Sequence, residues 1–77
     1  MTTTTASREF RHERLSATRR KRGLTQLQVA IAVGVTTRTV KRWERGVADP
    51  SLENALALAK ALGVTVNYLT GRGGEHH

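Results

Sequence analysis

With 77 residues and no cysteine, the chain has room for one domain near the small end of what folds unaided, and none for a disulfide framework or a thiolate metal site. Thirteen Lys/Arg against six Asp/Glu give a formal charge of +7 and a pI near 11.4, a balance that attracts polyanions, nucleic acid before an anionic membrane surface. No apolar run approaches the roughly 18 residues that span a bilayer, and Met1 to Ser7 lacks the apolar stretch of a secretory signal, so a cytoplasmic setting without membrane contact is expected.

The charge is uneven along the chain. Residues 1–46 carry eleven Lys/Arg against Glu9, Glu13 and Glu44, a net of +8. Residues 47–77 carry Lys60 and Arg72 against Asp49, Glu53 and Glu75, a net of −1. The Thr-rich residues 1–7 read as a disordered tail, 8–70 as the folded domain, and 71–77 as a flexible tail ending in His76 and His77.

The first helix should run from about Arg8 to Lys21, with Leu15 and Thr18 as core contacts, Ala17 beside them and Phe10 packing near its start. Seven Lys/Arg lie between Arg8 and Arg22, so much of this helix must face water or phosphate. Gly23 ends it as the glycine beyond the C-cap. Thr25 starts the second helix as an N-cap, and Gln28 three residues later completes a capping-box spacing. Val29, Ala30 and Val33 give its inward face, and Gly34 stops it. Leu27 and Ile31 lie side by side but point away from that face. Either Phe10 or the N-terminal tail covers them, or they form a small apolar patch for a protein partner.

A tight Gly34-Val35 connection leads to Thr36, the N-cap of a third helix ending near Arg45. A short helix, a glycine turn and a second helix make the helix-turn-helix arrangement. At about 100° per residue, Thr37, Arg38, Lys41, Arg42 and Arg45 fall within an arc of roughly 140°, opposite Val40, Trp43 and Val47. A helix with an apolar seam and a face of cationic and hydroxyl side chains suits the major groove of duplex DNA.

Val47 to Ser51 reads as a loop, because Pro50 cannot continue a helix and Ser51 can cap one. The fourth helix, Leu52 to Leu62, places Leu52, Ala55, Leu58, Ala59 and Leu62 at helical spacing with Leu56 at the edge, and should be the spine of the core. Gly63 closes it. Thr65 caps a short fifth helix containing Val66, Tyr68 and Leu69, which stops at Gly71. No strand-like alternation occurs, so the expected fold is an all-α, compact five-helix bundle. An enzyme is not expected, and neither is a cofactor or a metal: His12 is the single histidine outside the tail, and Ser7, Ser16 and Ser51 have no evident base beside them. RNA binding is disfavoured by the lack of stacking aromatics, since Trp43 and Tyr68 occupy core positions.

The run Gly23-Leu24-Thr25-Gln26, Val29-Ala30, Gly34-Val35-Thr36, Val40, Trp43-Glu44-Arg45-Gly46, Pro50-Ser51-Leu52 and Leu58 to Val64 resembles the phage Cro/cI-type helix-turn-helix repressor family. The resemblance covers roughly residues 15–70. It implies a lambda-repressor-like DNA-binding domain of five helices, in which the second and third read double-stranded DNA. On that resemblance Thr37, Arg38, Lys41 and Arg42 match positions that face base edges. Gln26 matches a residue that grips a phosphate and braces the third helix, Thr36 the N-cap, and Arg45 a backbone-contacting position where the family more often has Asn. The resemblance also pairs Arg19 with Glu44, and implies a homodimer through Val64, Val66 and Leu69, with Leu56 beside them. From charge alone, Arg22 and its neighbours Arg19 to Lys21 are further phosphate contacts. The expected function is a sequence-specific transcriptional regulator, a repressor. The alternative is an antitoxin-like module that binds a protein as well as DNA, with Leu27 and Ile31 as the place where that partner sits.

Overall fold

The computed structural model describes residues 10–71. Among them are five helices and no strand: α1 (His12–Lys21), α2 (Gln26–Val33), α3 (Thr37–Glu44), α4 (Leu52–Leu62) and α5 (Val66–Thr70). The fold class is therefore the all-α bundle that the periodicities require. The expected tails at 1–7 and from 72 onward lie outside the described residues, as do the first positions of the predicted first helix. Gly71 belongs to the domain rather than to a tail. It is buried, and it closes α5 in the left-handed conformation.

The helix ends follow from local chemistry. Thr25, Thr36, Ser51 and Thr65 each accept a hydrogen bond from the backbone N–H three residues on. Thr25 and Gln28 complete the reciprocal capping box, because the Gln28 side chain also accepts from the Thr25 N–H at 2.8 Å. Each such cap stabilises its helix by about 1 kcal/mol over alanine. At the far end of α1 the Gly23 N–H donates to the Arg20 carbonyl and the Leu24 N–H to the Arg19 carbonyl, a Schellman closure. Gly34, at a φ of 88°, turns the chain between α2 and α3 in a conformation that a side chain would oppose.

The core gathers Phe10, Leu15, Val29, Ala30, Val40, Trp43, Leu58, Ala59, Leu62 and Leu69, one or more residues from every helix and the residue that leads into α1. Helix α2 packs against α3 and α4, α4 against α5, and α1 against α3 and α5. The extended lead-in is tied to the last helix, where the Arg11 N–H donates to the Leu69 carbonyl at 2.7 Å.

Several sequence expectations need correction. Ala17 is exposed, because it lies on the outer side of α1 from Leu15 and Thr18. Leu52 is 65% exposed, at the first turn of α4 before that helix reaches the core, so the spine begins at Ala55. Val47 is exposed because the chain has already left α3 when it is reached. Phe10 does not cover Leu27 and Ile31, and the N-terminal tail, the other cover expected for them, lies outside the described residues. Phe10 is buried in the core, and both aliphatic side chains remain exposed. Leu69 has no exposed surface, so it holds α5 to the core and cannot take part in a dimer contact. Val64 and Val66 are half-buried against the core and keep some surface, and Leu56 is exposed.

Candidate nucleic-acid interface

Helix α3 divides its residues sharply. Val40 and Trp43 are buried and fix it to the core. Arg38, Lys41, Arg42 and Arg45 are exposed, and Thr37 is half-buried at the helix start. Among the described residues none of these four cations has a carboxylate partner. A cation without an internal partner meets an incoming anion with no competing contact to break.

The acid that interrupts this basic helix is turned inward. Glu44 accepts from Arg19 Nε at 2.5 Å and from Arg19 Nη2 at 3.2 Å, a two-pronged pair between α1 and α3. The two side chains are 11% and 7% exposed. Arg19 Nη1 also donates to the Leu24 carbonyl at 2.9 Å, and Gln26 Nε2 donates to Glu44 Oε1 at 3.1 Å. One carboxylate thus ties the end of α1, the α1–α2 turn, the first residue of α2 and the last residue of α3. Glu44 can subtract little from the potential of the outer face, because Arg19 neutralises it at contact distance.

The site residues named from the sequence divide into three settings. Thr37, Arg38, Lys41, Arg42 and Arg45 share the outer face of α3. Gln26 and Thr36 open the two helices of the helix-turn-helix unit. Gln26 is half-buried against Glu44, and Thr36 is exposed with its hydroxyl 3.0 Å from that of Thr39. When Thr39 is the donor in that pair, the Thr36 hydrogen is left for an outside acceptor. Arg22 is set apart. Its Nη2 approaches the Gly63 carbonyl at 3.5 Å, at the end of α4, where a cation complements the helix dipole.

Two further contacts position the site and were not foreseen from the sequence. Arg14 Nη1 donates to the Tyr68 carbonyl at 2.7 Å, and its guanidinium lies 4.7 Å from the centre of the Tyr68 ring. This arginine clamps α5 to α1. The two residues are 54 positions apart, so no local pattern announces the pair. The His12 ring rests on Gly46, the residue that leads out of α3. A Cβ there would stand 3.0 Å from His12 Cε1, and the φ of 76° already favours glycine. Together these contacts hold the start of α1 against α5 and against the residue that leads out of α3. Among the described residues no His/Cys/Asp/Glu group is arranged to hold a metal, and no helix is long and apolar enough to cross a membrane.

Comparison with known proteins places this geometry. A sequence model of the helix-turn-helix family matches residues 15–69. Repressor protein C2 of Salmonella phage P22 is 40% identical over 57 residues, covering 74% of this chain and 26% of that protein. The cryptic phage CTXphi transcriptional repressor RstR of Vibrio cholerae serotype O1 is 35% identical over 60 residues, covering 78% of this chain and 54% of that protein. The chain thus spans about a quarter and about half of the length of these two relatives. The crystal structure of the P22 c2 repressor in complex with synthetic operator 9T superposes with a TM-score of 0.73 at 36% identity, covering 87% of this chain and 94% of that one. With the match running from Leu15 to Leu69, across all five helices and through the Arg19–Glu44 anchor, the chain belongs to the helix-turn-helix family and is of the Cro/cI type.

Proposed function

We propose that the chain is a sequence-specific double-stranded DNA-binding transcriptional regulator, a repressor, that lays α3 in the major groove. The observation that carries this reading is the outer face of α3: exposed cations without an ion-pair partner among the described residues, on a helix whose single acid is nearly buried and paired. Similarity to two phage repressors supports it.

In this reading Thr37, Arg38, Lys41 and Arg42 meet base edges. Arginine donates two hydrogen bonds to guanine O6 and N7, and lysine reaches the same atoms. Arg38 and Arg42 are one turn apart, so the half-site contains at least one G read by one of them. The Thr37 methyl suits a thymine methyl. Gln26, Thr36 and Arg45 hold phosphates, helped by the free N–H groups at the start of α2, and fix the register without specifying sequence. Arg22 must leave Gly63 to reach a phosphate, so its share is the smallest of the set.

A single module of this size buries about 600–1,000 Å² on DNA, and operator affinity calls for two. The second copy binds across the surface formed by Val64, Val66 and Leu56, and the two α3 helices then meet half-sites about 34–36 Å apart. Selection of bound duplexes from a random pool, followed by a salt titration, tests the reading. A recurring two-fold motif containing G, with a steep fall of affinity as salt rises, is expected. Binding that is equally tight on every duplex overturns it.

A further inference from the structure

Helix α3 exposes Arg38, Lys41 and Arg42, with Arg45 at its C-cap. Arg38 and Arg42 are like charges one turn apart, and so are Lys41 and Arg45, a spacing that works against the helix. No acid offsets them, because the one carboxylate of α3, Glu44, is turned to Arg19 and Gln26. The face is uniform in a second respect. Arginine and lysine donate hydrogen bonds and accept none. Helix α3 contains no Asn, Gln or Asp. The two amides in the first turn of α2 are held elsewhere: Gln26 Nε2 donates to Glu44 Oε1 at 3.1 Å, and Gln28 Oε1 accepts from the Thr25 N–H at 2.8 Å. The Thr36 and Thr39 hydroxyls lie 3.0 Å from each other. Beside the cations this leaves the half-buried Thr37 hydroxyl as the side-chain group of α3 able to accept.

We infer that α3 reads acceptor atoms only, and that each half-site carries two guanines about two base-pair steps apart, one for Arg38 and one for Arg42. The inference rests on the DNA-binding reading above. In the major groove guanine shows two acceptors side by side, O6 and N7, and thymine shows O4. Adenine joins an acceptor to an amino donor, and cytosine shows an amino donor. An amide side chain matches adenine and a carboxylate matches cytosine. Helix α3 turns neither outward. The guanidinium fork matches the O6 and N7 of guanine and does so with two parallel hydrogen bonds. Four residues of helix rise about 6 Å, and base pairs repeat about every 3.4 Å. A helix axis that follows the groove therefore sets Arg38 and Arg42 two steps apart. Lys41 lies between them and takes a thymine O4 or a further guanine. The amino groups of adenine and cytosine go unread.

The test keeps the wild-type chain and changes single atoms of a duplex recovered by selection from random sequence. Competition binding at fixed salt compares guanine with 7-deazaguanine, in which N7 is replaced by C–H, at each guanine in turn. It also compares adenine with purine, which lacks the 6-amino group. The phosphates stay the same, so a loss reports contact with a base. At two guanines of each half-site 7-deazaguanine should weaken binding about tenfold, and removal of any adenine amino group should change it by less than about twofold. Arg38→Ala should erase the penalty at one of these guanines and leave the other in place, and Arg42→Ala should do the reverse. Penalties at fewer than two guanines per half-site overturn the inference and leave the proposed function standing. Penalties that persist unchanged in both alanine variants overturn it too, as does a comparable loss on removal of an adenine amino group. A chain that selects no preferred duplex overturns this inference together with the proposed function.

Discussion

Helices α1 and α3 are both rich in arginine, yet they put it to opposite uses. In α1, Arg14 clamps α5 through the Tyr68 carbonyl and ring, and Arg19 holds Glu44 in a nearly buried pair. In α3, Arg38 and Arg42 are exposed and make no ion pair among the described residues. The residue type is the same and the helices pack against each other. What separates them is the partner. An arginine aimed at a carbonyl or carboxylate inside the domain is spent on the fold, whereas one left without a partner is available to a ligand. Counting bases along the chain cannot make this distinction, and counting their internal acceptors can.

The anchor should give the largest effect. Arg19→Met leaves Glu44 nearly buried without its cation, and loss of one partner of such a pair costs about 3–5 kcal/mol. Chemical denaturation should show this loss, and Arg19→Met combined with Glu44→Leu should recover much of it, because a matched apolar pair is often neutral. The double variant also frees Gln26 from its acceptor, so DNA binding should weaken while base preference stays the same. A change of base preference would mean that the anchor reads sequence, and the division between the two helices would fail.

Arg42→Ala and Arg38→Ala should behave in the reverse manner. Each removes an exposed side chain, so stability should stay within about 0.5 kcal/mol. Discrimination at one base position should fall by about 1–3 kcal/mol, read by competition among duplexes that differ at that position. Arg14→Ala should lie between the classes. It removes a charge-assisted hydrogen bond and a ring contact, and a loss of about 2 kcal/mol in thermal or chemical unfolding is expected. Because that clamp holds α5, the variant should also dimerise less tightly on DNA, seen as loss of the doubly bound species at protein concentrations that saturate the wild type.

Much of this division was legible in the sequence. Thr25, Thr36, Ser51 and Thr65 stand at the spacing of N-caps, and all four cap. Gly34 and Gly63 stand where helices must stop. The outer arc of α3 follows from 100° per residue, and the same geometry separates Val40 and Trp43. What failed depended on tertiary placement. Leu52 has the spacing of a core residue, but α4 meets the core one turn later. Leu69 was legible as apolar, not as fully enclosed, because only the packing of α5 decides which of its apolar residues face in. The Arg14–Tyr68 clamp joins residues without any shared pattern, so periodicity has nothing to say about it. The Arg19–Glu44 pair is also invisible to spacing, and family resemblance supplied it.

The smallest effect tests the comparison within a single helix. Arg20 sits between the two uses of arginine: it neighbours Arg19 in sequence, yet it is exposed and makes no internal ion pair among the described residues. If lack of a partner marks an arginine as available, Arg20 should behave like the residues of α3 in leaving stability unchanged. Its place on α1 keeps it off the base-reading face, so its contribution should be to phosphate alone. Arg20→Ala should therefore weaken binding to all duplexes by the same factor and reduce the salt slope by about one. Stability loss of the size expected for Arg19 would show that position in α1, rather than the partner, sets the role. A change in preference for one base would place the end of α1 in the groove beside α3. A uniform loss with a shallower salt dependence would separate charge that positions from charge that reads, along a helix where the neighbouring arginine does neither.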